Sequence, residues 1–248
     1  MLRRIDWPKH CICEMPRQAR IVLEGCAHHV VSRGVNRRSI FRSGYDKRRY
    51  LKRFARIAED EGVQVHAYCL MDNHVHWILT PATPDGLARL FHRLHTWWAM
   101  DFNRRNQRCG HLFQNRYHST PLGENHYWAA MRYVELNPRR AGCREELAEW
   151  EHSSARAHLE GRDDALVPLA WGTWRERRQT PESWREYLGE TDREAEERLR
   201  RAIAGSRPCG DEEWVRGLEA KHGRKLAWSP PGRPRTAATR EAAAPAVL

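Results

Sequence analysis

Cys69-Leu70-Met71-Asp72-Asn73-His74-Val75-His76-Trp77-Ile78-Leu79 is the stretch that decides the fold. Two apolar runs flank Asp72-Asn73, a pair suited to a tight connection, so Val63 to Met71 and Asn73 to Thr80 read as an antiparallel hairpin. In a strand successive side chains point to opposite faces. His74 and His76 therefore project side by side, while Val75 and Trp77 turn the other way into a core. Two adjacent imidazoles are half of a metal site. Fourteen histidines in 248 residues give such a pair about once by chance, so its surroundings have to carry the argument.

Outward from the hairpin, residues 27–35 (Ala-His-His-Val-Val-Ser-Arg-Gly-Val) are a β-branched run ending at Gly34 and predict a first strand. Between Asp46 and Glu61 the apolar positions Tyr50, Phe54, Ile57 and Ala58 have helical spacing, and Gly62 supplies the stop. Pro81 and Pro84 end the hairpin. From Asp85, Leu87, Leu90, Phe91, Leu94, Trp97 and Trp98 form an amphipathic stripe that Asp101 interrupts. A further short strand is expected near Gly110 to His118. This succession predicts an α+β fold, one antiparallel sheet with helices on one face.

Tyr133-Val134-Glu135-Leu136-Asn137-Pro138 closes a helical segment. On a helical wheel Tyr127, Ala130, Met131 and Val134 make one apolar stripe, and Tyr133 lies off it. Asn137, four residues on, shares a face with Tyr133, and Pro138 disfavours helix at its predecessor. A phenol and an amide oxygen are thus presented together.

The formal net charge of +11 points to a polyanionic partner. Nucleic acid stands ahead of membrane, because no apolar run approaches the roughly 20 residues needed to span a bilayer. Seven cysteines at irregular spacing suggest reduced thiols in a cytoplasmic protein. Residues 1–14 differ in character from the rest of the chain, so either Met15 is the initiator or this leader is disordered. Residues 15–164 form the expected main domain, and residues 165–228 a small helical extension with scattered Trp171, Trp174 and Trp184. Within it Asp211 can cap a helix from Glu212 to Lys221, with Trp214, Val215 and Leu218 packed inward. Residues 229–248 contain Pro230-Pro-Gly-Arg233-Pro-Arg235-Thr, similar to the core of an AT-hook, and then an Ala-rich remainder expected to be disordered.

Taken in order, Met15-Pro-Arg-Gln-Ala-Arg, His28-His-Val-Val-Ser-Arg-Gly, Ala67-Tyr-Cys-Leu-Met-Asp-Asn-His-Val-His, Arg132-Tyr-Val-Glu-Leu-Asn-Pro-Arg-Arg-Ala-Gly and Ser153-Ser-Ala-Arg-Ala-His resemble the IS200-like single-tyrosine transposases, and among them the REP-associated tyrosine transposases of bacteria. The resemblance implies an HUH-type endonuclease on a ferredoxin-like sheet that acts on single-stranded DNA with hairpins or palindromic repeats. It assigns His74, His76 and Asn137 to a divalent metal, Mg²⁺ or Mn²⁺, and Tyr133 to nucleophilic attack that leaves a 5′-phosphotyrosine and a free 3′-hydroxyl before strand transfer. It also implies a nucleoid-associated protein. The family's Trp-Gln-x-Arg appears here as Phe113-Gln114-Asn115-Arg116, and the tail is less basic than is common.

The chemistry is reasonable in itself. An ordinary phenol with pKa near 10 is about one part in a thousand phenolate at pH 7, and a metal that polarises the scissile phosphate relieves that shortfall by stabilising charge on its oxygens. Phenolate is also a better leaving group than an alkoxide, so the protein–DNA ester stays reactive toward a 3′-hydroxyl. Arg33, Arg37, Arg38 and Arg116 are candidate phosphate contacts, with Arg233 and Arg235 of the tail. Trp97, Trp98 and Tyr117 are either core or base-stacking platforms. Two rivals remain: a repeat-DNA-binding regulator on the same scaffold that does not cleave, and a histidine-triad nucleotide hydrolase, whose third histidine would fall where Ile78 stands. A homodimer, with Tyr133 acting in cis or in trans, stays open.

Overall fold

A computed structural model describes residues 20–161 and 180–227. Strands β1 (His28–Arg33), β2 (Val63–Leu70), β3 (His74–Pro81) and β4 (His118–Pro121) form one sheet in the order β2-β3-β1-β4. Every neighbouring pair is antiparallel. Helix α1 (Gly44–Asp60) joins β1 to β2, and α2 (Gly86–Arg105) joins β3 to β4. The fold is α+β and ferredoxin-like.

The hairpin turns at Asp72-Asn73 as expected, with the Met71 N–H donating to the His74 carbonyl at 2.9 Å. Val75 and Trp77 face α1 and α2. The Trp77 ring lies flat on Phe54, centroids 3.8 Å apart, inside a buried cluster with Tyr50, Leu51, Leu90, Phe91, Leu94 and Trp98. Each such side chain contributes roughly 1.5–3 kcal/mol by leaving water, so this face supplies much of the fold's stability. The interruption at Asp101 is explained here. Its carboxylate accepts from Arg49 at 2.9 Å and Arg105 at 2.7 Å, and Arg105 also reaches Asp46 at 2.7 Å, which ties α1 to α2.

The fourth strand differs from expectation. Residues 110–117 contain a single antiparallel bridge, Phe113 to Gly34, and the ladder of β4 begins at His118, pairing with Val31 to His28 on the free edge of β1. Leu112 and Tyr117 are buried nonetheless, which is why the segment has a strand-like pattern. Pro121 ends β4 on an edge where a missing N–H is tolerated.

Helices α3 (Glu124–Glu135), α4 (Asn137–Arg140), α5 (Ala155–Glu160), α6 (Pro181–Gly189), α7 (Arg193–Gly205) and α8 (Glu212–His222) come after β4. One face of the sheet carries α1 and α2, as expected, and the other is covered too. Tyr127, Ala130, Met131 and Val134 of α3 share a buried cluster with Ala67, Cys69 and Ile78 of the sheet and with Trp184, Leu188, Leu199 and Ala202 of α6 and α7. The helical segment beyond Pro181 therefore shares its core with the sheet. Asp211 caps α8 as expected, accepting from the Trp214 N–H at 2.8 Å, and Val215 and Leu218 are buried. Among the described residues no helix is long and apolar enough to cross a membrane. The leader, Trp171, Trp174 and the hook-like tail with Arg233 and Arg235 lie outside the described residues.

Candidate active site on the polar face of the sheet

Strand pairing sets Arg33 opposite His74, Val31 opposite His76 and His29 opposite Ile78. Side chains of paired residues share a face, so the face under α3 carries His29 beside His74 and His76, with His118 opposite Val31 and His66 edge-on to Tyr127 of α3. Nδ1 of His74 lies 2.6 Å from Oδ1 of Asn73. An amide oxygen only accepts, so the proton sits on Nδ1 and the lone pair on Nε2. The Asn73 amide nitrogen donates in turn to the Arg37 carbonyl at 3.0 Å, which fixes the plane that orients His74. The sharp path of that loop needs glycine at 34, because a Cβ there would fall on the Arg38 carbonyl oxygen.

His76 is held differently. Its Nδ1 lies 2.9 Å from Nε2 of His29, with the two rings stacked at 5.1 Å. In one tautomer Nδ1–H of His76 donates and Nε2 keeps its lone pair, and in the other the roles reverse. Nδ1 of His29 is buried with no hydrogen-bond partner. Burial lowers the pKa of all three rings, His74 to about 4, His29 to about 3 and His76 well below the ordinary 6.5. The neighbouring Arg33 cation adds to the effect at His74 and His76. Desolvation favours the neutral imidazole, the form that binds a metal.

Tyr133 lies off the buried stripe of α3, as the wheel requires. Its ring meets His76 edge-on at 5.9 Å and His29 at 5.8 Å. The Arg140 guanidinium sits 4.4 Å over the same ring, donates to the Tyr133 carbonyl at 2.7 Å, and also pairs with Glu196 of α7. Asn137 is buried, with its amide nitrogen donating to the carbonyls of Tyr133 at 2.9 Å and Val134 at 3.1 Å. Those bonds leave the amide oxygen for another partner. His74, His76 and Tyr133 are thus brought together, with Asn137 one helical turn beyond the phenol. Among the described residues no group of three His, Cys, Asp or Glu side chains is placed to hold a metal.

A pocket of about 370 Å³ opens beside Tyr133, and Arg33, Arg116, His118 and Arg200 are in its walls. Arg33, Arg37, Arg38 and Arg116 are all exposed, but only Arg33 and Arg116 join Tyr133 in that pocket. The Gln114 N–H donates to the Arg33 carbonyl at 2.8 Å, which brings their two segments together. Trp98 and Tyr117 are buried. The Trp98 Nε1–H donates to the Ile40 carbonyl at 3.0 Å, and the Arg20 guanidinium covers the Tyr117 ring at 4.0 Å, so both belong to the core reading. Sequence reasoning missed His29, Arg140 and Arg200 as site residues. His29 was recoverable from the alternation of β1 once its register with β3 was known. Arg200 was not, since it comes from a helix packed across the fold.

Residues 22–137 match the family model described as transposase IS200 like. No curated protein matches the chain. Among solved structures, one of the REP-associated tyrosine transposase bound to a REP hairpin is similar at 19% identity and a TM-score of 0.48, over 63% of this chain and 91% of that one.

Proposed function

We propose that the chain is a metal-dependent, single-stranded DNA endonuclease and strand transferase with Tyr133 as nucleophile. The observation that carries this reading is the edge contact of the Tyr133 ring with His76, at the wall of a pocket that also holds Arg33 and Arg116. The match to IS200-like transposases over residues 22–137 supports it. His74 and His76 would hold Mg²⁺ or Mn²⁺ through Nε2, with the Asn137 amide oxygen as a third ligand, and the neutral, desolvated imidazoles and the fixed tautomer of His74 fit that role. His76 fits it in the tautomer that donates to His29. The metal, when bound, polarises the scissile phosphate. Arg33 and Arg116 orient the DNA backbone, and Tyr133 attacks phosphorus. The phenol oxygen forms the new P–O bond, the bond to the 3′-oxygen breaks, and the departing 3′-hydroxyl takes the proton. A later 3′-hydroxyl reverses the step and releases Tyr133, so joining needs no ATP.

The test is a denaturing gel of purified protein with labelled, hairpin-containing single-stranded DNA from the flanks of its own gene, with Mg²⁺ or Mn²⁺. A slow-migrating adduct that needs metal and vanishes in Tyr133→Phe and His74→Ala is expected. DNA that is bound but never cut by the wild type would turn the reading to a non-cleaving repeat-DNA-binding protein.

A further inference from the structure

Glu135 lies two residues after Tyr133 and two before Asn137, and it is fully buried. At 100° per residue it points to the side of α3 away from the phenol. Three donors converge on its carboxylate. Ser154 Oγ donates to Oε1 at 2.7 Å, Nδ1 of His158 lies 2.5 Å from the same oxygen, and Trp184 Nε1 donates to Oε2 at 2.8 Å. Ser154 Oγ also accepts from the Tyr68 N–H of β2 at 3.0 Å, and the next residue, Cys69, pairs opposite His76. One carboxylate therefore links the end of α3 to β2, α5 and α6.

A serine, a histidine and a carboxylate together suggest a hydrolytic triad, and the bonding rejects it. The Ser154 hydroxyl and the His158 ring both bond to Glu135, a geometry unlike a serine hydroxyl held against a histidine nitrogen, and none of the three reaches solvent. Hydrophobic burial alone would hold α3 on the sheet without a charge. An interior carboxylate is expensive unless its hydrogen bonds are satisfied. What it adds is direction, because three donors, two from α5 and its cap and one from α6, define its position where apolar packing would allow sliding or rotation.

We infer that Glu135 is a positioning residue that sets the last turn of α3 so that Tyr133 meets His76 and Asn137 comes into place. The inference rests on Tyr133 being the nucleophile. The hydrogen-bond partners of Glu135, namely Ser154, His158 and Trp184, all lie beyond residue 137, where the family match ends.

The test uses the full chain. Glu135→Gln keeps the shape but sets an amide N–H₂ against one of the donors. Leu188→Ala, in the same buried cluster on α6, is the control for general loosening. At saturating hairpin DNA and matched folded fraction, Glu135→Gln is expected to form adduct about 10- to 100-fold more slowly than wild type, with DNA affinity within about twofold, because small misplacements of reacting groups carry penalties of that size. Leu188→Ala is expected to keep the wild-type rate. Equal rates in the two variants would overturn the inference. Trp184→Phe, which removes one donor and keeps most of the ring, carries the same comparison if Glu135→Gln does not fold. Should wild type form no adduct, the proposed function fails by itself, and positioning is then read from the ¹³Cζ signal of Tyr133, assigned by its loss in Tyr133→Phe. A shift in Glu135→Gln but not in Leu188→Ala supports positioning, and an unchanged signal in Glu135→Gln contradicts it.

Discussion

The two faces of one four-stranded sheet are built for different work. Toward α1 and α2 the strands send Val30, Val75, Trp77 and Leu79 into an aromatic core. Toward α3 the same strands send His29, His74 and His76, with polar Thr120 of β4 buried beside them at 0% exposure. Alternation along β3 assigns the two jobs, since Val75 and Trp77 interleave with His74 and His76. The division is not complete, since Ile78 in the histidine row joins the second buried cluster under α3, and both faces depend on the same backbone register.

The largest effect expected is on the apolar face. Trp77→Ala should lower unfolding stability by about 3–5 kcal/mol, measured by denaturant midpoint, and a loss under about 1 kcal/mol would show that the stacked core is not where stability resides. On the other face, His74→Ala should reduce metal-dependent adduct formation by at least about 100-fold while moving the denaturant midpoint little. A variant that unfolds as readily as Trp77→Ala would erase the distinction between faces. Asn73→Ala probes the polar face one step out from the proposed metal site: with no acceptor for Nδ1 of His74, Mn²⁺ affinity by calorimetry should fall about tenfold, and unchanged affinity would remove Asn73 from the site.

A further effect concerns pH. His28 is buried and neutral, with Nδ1–H donating to the Cys26 carbonyl at 2.8 Å and Nε2 accepting from the Leu23 N–H at 3.1 Å. Burial, against the raising effect of the Cys26 carbonyl, lowers its pKa to about 4. The unfolded chain takes up that proton first, so the contribution of His28 is complete above about 6.5 and is lost as pH falls from there toward about 4. Thermal unfolding at pH 7 and pH 5 should show wild type losing about 2 kcal/mol more than His28→Gln. Equal losses would mean that His28 titrates as it does in water.

Much of this was legible in the sequence, because hydrophobic period and punctuation are local. The Asp72-Asn73 turn, the stripe from Leu87 to Trp98, the off-stripe place of Tyr133 and the cap at Asp211 depend on residues within a few positions of one another. β4 was placed too early because Leu112 and Tyr117 are buried in a segment that pairs with the end of β1 only through the bridge of Phe113 to Gly34, and a run that contributes to the core from a loop has the pattern of a strand. The partnership of His29 with His76 needed the register of two strands 47 residues apart in sequence. Arg200 and the donors to Glu135 came from helices whose docking no local pattern encodes.

Mass spectrometry of the protein after reaction with hairpin-containing single-stranded DNA, metal and nuclease trimming puts the division between the faces to its plainest test. The expected result is one modified peptide, carrying a 5′-phosphonucleotide on Tyr133 and absent from His74→Ala. A nucleotide attached to any other residue, or on Tyr133 at equal yield without His74, would contradict the assignment of the chemistry to this face.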